Sequence, residues 1–300
     1  MKQMRIPILI AWSIAIIGLI LGSFFDLHIS SMIASASNNY ALTISAIGPT
    51  IGFAGVSLMG GGFIAFVIKG KYHVALKILF VILALACFGV SIYYPGGEYF
   101  GVNGFYKVAP EALGYVIAFF PAVGGMVGGY FLFKDCKNKN MWIVFVIIIV
   151  VLLIALLGVL PTIKDNMHRP RFRLISKNEA IPFHDWWKPC KDYEQLKELY
   201  KIHKDNFKSF PSGHTAEASI LLVFFTFLPL ADEKFEPHQP MMFSLSLLLI
   251  ILVAFARILA GAHFLSDVSM GALIMLTLLF IANEIVVWIK PLHNKSSIKE

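Results

Sequence analysis

The side chains best suited to chemistry lie in three short polar clusters of an otherwise apolar chain. In the last cluster, Arg257 is followed by His263 and Asp267, which are four residues apart. Residues at this spacing are neighbours on one helical face, so the carboxylate can accept a hydrogen bond from one imidazole nitrogen. The other nitrogen then keeps its lone pair, as in a catalytic triad with histidine in the nucleophile's place. The alternative is a structural His–Asp pair that caps a helix.

The middle cluster, Pro211-Ser212-Gly213-His214, is typical of a helix start. Proline and serine suit the first positions of a helix, where free backbone N–H groups attract anions. Gly213 permits a close backbone approach, and His214 stands in the first turn. Glu217 is interpreted as a polar residue near the membrane surface, with coupling to His214 as the alternative.

The first cluster supplies cations. Lys164 and Arg171, together with Arg257, give three positive groups near the two histidines. Guanidinium groups match phosphoryl oxygens bidentately, and cations stabilise the transition state of phosphoryl transfer. His168 and Arg169 are interpreted as residues of a pocket rim or cap. The histidines are not spaced for zinc and no carboxylate group resembles a magnesium site, so we expect no metal and no cofactor.

The elements that position these clusters are predicted to be membrane helices. The 300 residues are 58% apolar and 14% charged, with a mean hydropathy of +0.75, whereas soluble domains carry about 25% charged residues. A spanning helix needs ~20 apolar residues, and eight segments qualify: Ile6 to Phe25, Ile47 to Ile68, Val74 to Tyr94, Ala112 to Phe133, Met141 to Leu160, Ser212 to Leu230, Met241 to Leu259 and Val268 to Ile289. The prediction is an all-α polytopic membrane protein of about eight transmembrane helices. Seven or nine stay open, because the weakly apolar stretch Leu27 to Ala46 is interpreted as a short helix plus linker.

The net charge of +7 is interpreted through its distribution along the chain. Short loops on one side carry most lysines, which predicts cytoplasmic N- and C-termini. The long segment Pro161 to Phe210 breaks this pattern with eleven basic residues, and long loops count for less in the rule. It is predicted to be extracytoplasmic, with an amphipathic helix over Asp192 to His203, and its charge is attributed to an anionic substrate, not to nucleic acid. The three cysteines are expected to form no disulfide.

The order Lys-x6-Arg, Pro-Ser-Gly-His and Arg-x5-His-x3-Asp resembles the three signature motifs of the type 2 phosphatidic acid phosphatase superfamily. The resemblance covers about Lys164 to Asp267, with Phe172 and Ala256 departing from the usual Pro and Ser. It implies a six-helix phosphatase core preceded by two extra helices. The corresponding division is 1–73 for the extra helices, 74–290 for the core, 173–208 for a polar extracytoplasmic insertion and 291–300 for a cytoplasmic tail.

The resemblance also implies a mechanism without a divalent metal. His263 would attack phosphorus and form a phosphohistidine, Asp267 would orient it, and His214 would protonate the leaving alkoxide and then activate water. The implied phosphate-binding residues are Lys164, Arg171, Ser212, Gly213 and Arg257. The expected substrate is a lipid phosphate or diphosphate of the phosphatidate, phosphatidylglycerophosphate or polyprenyl diphosphate class, and the other partners are membrane lipids. A phosphotransferase to another acceptor, and a transporter using the charged cluster as its binding site, are the alternatives.

Overall fold

The computed structural model describes residues 1–35, 37–100 and 112–289, and within them it contains helices and no strand. The predicted all-α fold class is confirmed. The α-helices are α1 Arg5–Ile33, α2 Asn39–Lys69, α3 Val74–Phe100, α4 Ala112–Phe133, α5 Met141–Leu153, α6 Leu160–Met167, α7 Phe172–Ile175, α8 Tyr193–Leu199, α9 Gly213–Ala218, α10 Ile220–Phe227, α11 Gln239–Leu259 and α12 Leu265–Trp288. The predicted tail 291–300 lies outside the described residues.

Eight helical segments are long and apolar enough to cross a membrane, which confirms the expected polytopic architecture. Helices α1 to α4, α11 and α12 each form one. The fifth is continuous from α5 through the π-helical segment Ile154–Val159 into α6, and the sixth joins α9 to α10. Large apolar side chains on α1 are exposed, including Phe24 at 76% and Ile6 at 68%. Such a surface suits the hydrocarbon core of a bilayer, where apolar side chains are favoured over polar ones.

The stretch expected to be a short helix plus linker belongs instead to the ends of two long helices. Helix α1 continues to Ile33, and α2 begins at Asn39 after Asn38, whose side-chain oxygen accepts a hydrogen bond from the Ala41 amide at 3.0 Å. The 29 residues of α1 give a length of about 44 Å, longer than the ~30 Å hydrocarbon core. Residues 27–33 of the stretch therefore end α1 next to the site described below, and residues 39–46 begin α2.

Helix α2 lies at the centre of the bundle, in contact with α3, α4, α9, α10 and α11. Glycines allow its close packing on α4: a Cβ on Gly61 would lie 2.0 Å from the Met126 carbonyl oxygen, and one on Gly129 would lie 2.0 Å from that of Leu58. Any side chain at either position would force the helices apart. Gly61 and Gly129 therefore set the distance between α2 and α4.

Helix α1 packs along α12 for most of its length. Near the N-terminal end of α1, Arg5 Nε donates a hydrogen bond to Glu284 Oε1 at 2.7 Å. At the other end, the Ser266 amide donates to Asp26 Oδ1 at 2.9 Å. Because Ser266 lies in the first turn of α12, α1 delivers a carboxylate to the end of the bundle that carries the three motifs.

The polar segment 173–208 forms a small cap over that end, with a hydrophobic core of its own built around Ile181, Cys190, Tyr193 and Phe207. Its helix α8 ends at Leu199, so the expected helix over 192–203 is shorter than predicted. Leu199 and Tyr200 are 72% and 40% exposed, so no packing surface extends the helix past Leu199, although Ile202 packs against the cap core from outside the helix. The three cysteines are free, as expected.

Candidate active site

The eight sequence-predicted site residues all lie at the capped end of the bundle. The up-and-down course of the spans brings the end of α6, the start of α9, the end of α11 and the start of α12 to this end. The Ser212 amide donates a hydrogen bond to the Asp267 carbonyl at 2.9 Å. Lys164, Arg171, Arg257 and His263 lie close enough to the His214 imidazole to interact with it electrostatically. Residues separated by about a hundred positions in sequence thus form one cluster.

His263 lies in the turn between α11 and α12 with only 1% of its surface exposed. Its Nδ1 is 2.6 Å from the backbone oxygen of Ser209. A carbonyl only accepts, so Nδ1 carries the proton and Nε2 keeps its lone pair. Burial of the imidazole, opposed by the Asp267 carboxylate and reinforced by the Arg257 and Arg171 guanidinium groups, holds the pKa of His263 well below its usual range. The ring is therefore neutral at neutral pH, the state a nucleophile requires.

Asp267 is held differently from the sequence-based expectation. Its Oδ2 lies 3.7 Å from His263 Nδ1, an ion-pair distance, while the hydrogen bond of Nδ1 goes to Ser209. The Asp267 carboxylate instead accepts hydrogen bonds from the Phe264 amide at 2.7 Å and from the Ser209 hydroxyl at 2.5 Å. The physical reason is helix capping: an acidic side chain in the first turn of α12 reaches back to an amide that has no partner within the helix. Asp267 thus acts on His263 by its charge and by holding Ser209.

Ser212, Gly213 and His214 open α9. The Ser212 hydroxyl caps the helix, 3.0 Å from Thr215 Oγ1 and 3.4 Å from the Thr215 amide. A Cβ on Gly213 would lie 3.6 Å from Lys164 Nζ and 3.6 Å from Glu217 Oε1, so the cation, the carboxylate and the start of α9 face one another.

Glu217 corrects one sequence-based interpretation. It was expected near the membrane surface, yet it is only 8% exposed and its Oε2 lies 4.0 Å from His214 Nδ1. The alternative, coupling to His214, fits this geometry. A carboxylate one turn along the helix is a neighbour of the histidine, and the surrounding helices remove both from solvent.

The predicted cations enclose the two histidines. Arg257 is 3% exposed and Arg171 is 7% exposed, while Lys164 is half-buried at the end of α6. All three interact with other groups of the protein. Burying cations is costly unless anionic charge compensates. A dianionic phosphoryl group would supply that charge.

Arg169 is not a rim residue. It is 1% exposed, and its Nη2 and Nη1 donate to Asp26 Oδ2 at 2.9 Å and to Asp267 Oδ1 at 2.5 Å. Sequence reasoning passed over Asp26, which stands one residue beyond the apolar run of the first span. The signal was there: an ionisable residue within a membrane helix is by default a functional candidate.

Metal-ligating side chains do not cluster in residues 1–35, 37–100 and 112–289, where no group of three His, Cys, Asp or Glu residues could hold a metal ion. The candidate site is instead composed of two histidines, two acidic residues and several cations. This is a set suited to nucleophilic attack on a phosphoryl group and to proton transfer.

A family model described as the PAP2 superfamily matches residues 139–291, just over half of the chain. The matched region runs from the start of α5 to the end of α12 and includes all eight predicted site residues. Helices α1 to α4 precede it. No curated protein and no solved structure matches the chain.

Proposed function

The chain belongs to the PAP2 superfamily, the type 2 phosphatidic acid phosphatases, which implies phosphatase activity on phosphate esters, and we propose that it hydrolyses a lipid phosphate or diphosphate through a phosphohistidine. The observation that carries the proposal is the state of His263. Its Nδ1 lies 2.6 Å from the Ser209 carbonyl oxygen and carries the proton, so Nε2 of the neutral ring keeps a lone pair for attack on phosphorus. A histidine held in this way is a nucleophile rather than a surface base.

In the proposed first step, Nε2 of His263 attacks phosphorus in line while the bond from phosphorus to the leaving oxygen breaks. Lys164, Arg171 and Arg257 hold the phosphoryl oxygens, assisted by the Ser212 hydroxyl and the Gly213 amide. Cations fixed around the phosphoryl group stabilise the charge of the transition state. Asp267 stabilises the positive imidazole that forms, from 3.7 Å away.

In the proposed second role, His214 donates a proton to the leaving alkoxide and then takes a proton from the water that hydrolyses the phosphohistidine. Glu217 supports this role by its position, since its carboxylate lies 4.0 Å from His214 Nδ1 and can hold the ring in place during both proton transfers. Neither step requires a divalent metal.

A lipid substrate is supported by the position of the site. It lies at the end of eight apolar helices, which indicate an integral membrane protein, and beneath a polar cap. A phosphate head group could reach the cations while its acyl chains stay in the bilayer. The charged cluster lies at one end of the bundle, whereas transporter sites lie near the midplane, so an enzyme is favoured over a transporter.

The decisive assay uses the purified full chain in detergent with EDTA. Phosphate release is measured from phosphatidate, phosphatidylglycerophosphate and a polyprenyl diphosphate in parallel. We expect release from one class and none from His263→Ala, with His203→Ala as control, because His203 is an exposed histidine of the cap. Release by His263→Ala at the wild-type rate would overturn the phosphohistidine. Product analysis with an added alcohol separates hydrolysis from phosphotransfer.

The division into extra helices 1–73 and a core 74–290, the cytoplasmic termini and the extracytoplasmic site belong to the proposal as well. Alkaline phosphatase fused after Lys208 should be active, because it folds only outside the cytoplasm. Activity of a cytoplasmic reporter at the same position would reverse the orientation.

A further inference from the structure

We propose that Asp26, on the first membrane helix, is a positioning residue of the active site that acts on His263 through Arg169 and Asp267. The inference rests on the proposed function and extends the site to α1, which lies outside the family match at 139–291. The contacts run from Asp26 on α1 to Arg169, between α6 and α7, and from there to Asp267 on α12. Each contact is made within a region that excludes water.

Asp26 is only 2% exposed, and both of its carboxylate oxygens accept hydrogen bonds. Its Oδ1 accepts from the Ser266 amide at 2.9 Å, and its Oδ2 accepts from Arg169 Nη2 at 2.9 Å and from the Ser266 hydroxyl. The packing of α1 is built for this approach, because a Cβ on Gly22 would lie 2.6 Å from the Ser266 amide nitrogen. Asp26 therefore does more than neutralise a stray charge: it holds the first turn of the helix that carries Asp267.

Arg169 links Asp26 to the site with all three of its guanidinium nitrogens. Nε donates to the His184 carbonyl at 2.8 Å, Nη1 donates to Asp267 Oδ1 and to the Ser266 hydroxyl, and Nη2 donates to Asp26. The guanidinium carbon lies 4.3 Å from the centre of the Phe264 ring. These contacts use four of the five N–H donors of a planar fork, and together with the aromatic ring they fix the orientation of the guanidinium group. The position of Asp267 is thus set from α1.

The charge balance around His263 gives Asp26 a second effect. From the neighbouring elements, Arg257 of α11, Arg171 before α7, His214 of α9 and Asp267 of α12 face the ring. Arg169 adds a positive charge behind Asp267, and Asp26 offsets it. If Asp26 loses its charge, the positive charge of Arg169 is no longer offset. The net negative charge that acts on His263 then decreases, so the imidazole becomes less basic.

The test compares Asp26→Asn, Asp26→Glu and Ser30→Ala with wild type. Ser30 is the matched control, since it is fully buried one turn further along α1 and no group in the described part of the chain hydrogen-bonds its hydroxyl. We expect Asp26→Asn to lower kcat on the order of 10- to 100-fold, with a smaller change in KM. The acid limb of kcat/KM should move down by about half a pH unit relative to wild type on the same substrate. Asp26→Glu should recover part of the rate, and Ser30→Ala should match wild type.

Two results would overturn the inference while leaving the proposed function intact. One is an Asp26→Asn enzyme with wild-type kcat. The other is a loss of rate with an acid limb that moves to higher pH, which would report water entering a loosened site. If Asp26→Asn does not fold, Ser266→Ala removes one of the Asp26 contacts and should lower kcat by about threefold to tenfold; no change would count as refutation.

Orthovanadate binding, measured by calorimetry, gives a readout besides turnover, since vanadate adopts the pentavalent geometry of the transition state. Asp26→Asn should bind it about tenfold more weakly than wild type and Ser30→Ala. Equal affinity in all three would refute the inference. Wild-type protein that neither releases phosphate nor binds vanadate would overturn the proposed function and this inference together.

Discussion

Helices α1 and α12 are joined by charged groups at both ends, and the two ends differ in their access to water. At one end, the Arg5 and Glu284 side chains pair while 42% and 35% exposed. At the other, Arg169 bridges Asp26 and Asp267, and none of the three side chains is more than 2% exposed. Water can replace either partner of the exposed pair but neither partner of the buried one. The same helix interface therefore holds one replaceable contact and one on which the site depends.

Arg169→Met should have the largest effect, because it leaves two carboxylates buried side by side without a cation. Breaking a buried pair in this way costs about 3–5 kcal/mol. We expect a large fall in Tm in detergent and loss of phosphate release. Lys188→Met is the control, since it breaks the exposed pair with Asp185, and it should leave the Tm unchanged. A wild-type Tm for Arg169→Met would remove the distinction between the two ends.

Gly22→Ala tests the close approach at the buried end. Its Cβ would lie 2.6 Å from the Ser266 amide nitrogen, so α1 must move away from α12. Overpacking of this kind costs about 1–3 kcal/mol, and the displacement of Asp26 should lower phosphatase activity as well. Gly89→Ala on α3 is the matched control, because no described residue places an atom within 4 Å of a Cβ there, apart from the adjacent backbone of α3 itself. Equal Tm values for the two variants would contradict the proposed packing constraint.

The buried end should also make stability depend on pH. Unfolded His263 binds a proton near pH 6.5, whereas the folded protein, with its lowered pKa, binds that proton only at lower pH. The stability that the neutral ring contributes is complete above pH 6.5 and is lost as the pH falls, by up to about 1.4 kcal/mol per unit. The Tm of wild type relative to His263→Gln should therefore fall between pH 7 and pH 5. A difference that stays constant would mean that the ring is not held neutral.

Arg5→Gln should have the smallest effect. The pair with Glu284 is open to water, so its loss should leave both Tm and phosphatase activity unchanged. Raising the salt concentration should have equally little effect on the wild type. A loss of activity in this variant would show that the exposed Arg5–Glu284 pair also affects the geometry of the active site.

Local spacing made the motifs predictable. His263 and Asp267 lie four residues apart, and Ser212 directly precedes a helix, so the chain geometry alone brings each of these groups near its neighbours. The eight spans were predictable for a similar reason, because each consists of ~20 successive apolar residues. The acceptor for His263 was not predictable, since the Ser209 carbonyl is 54 residues away and competes with a carboxylate already engaged as a helix cap.

The sequence by itself determined that the helices lie in lipid, that the fold is all-α and which side chains form the three motifs. Apolar run length and short-range residue spacing are local properties, so they can be read without the tertiary structure. Only the tertiary structure decided which charges share a buried region. Asp26 and Arg169 are 143 residues apart. Glu217 is buried by helices from distant parts of the chain, which the residues next to it in sequence do not indicate. Such partners depend on how whole helices pack, with Gly22 allowing α1 to approach Ser266. The reactive groups are therefore local in sequence, and the groups that hold them come from across the fold.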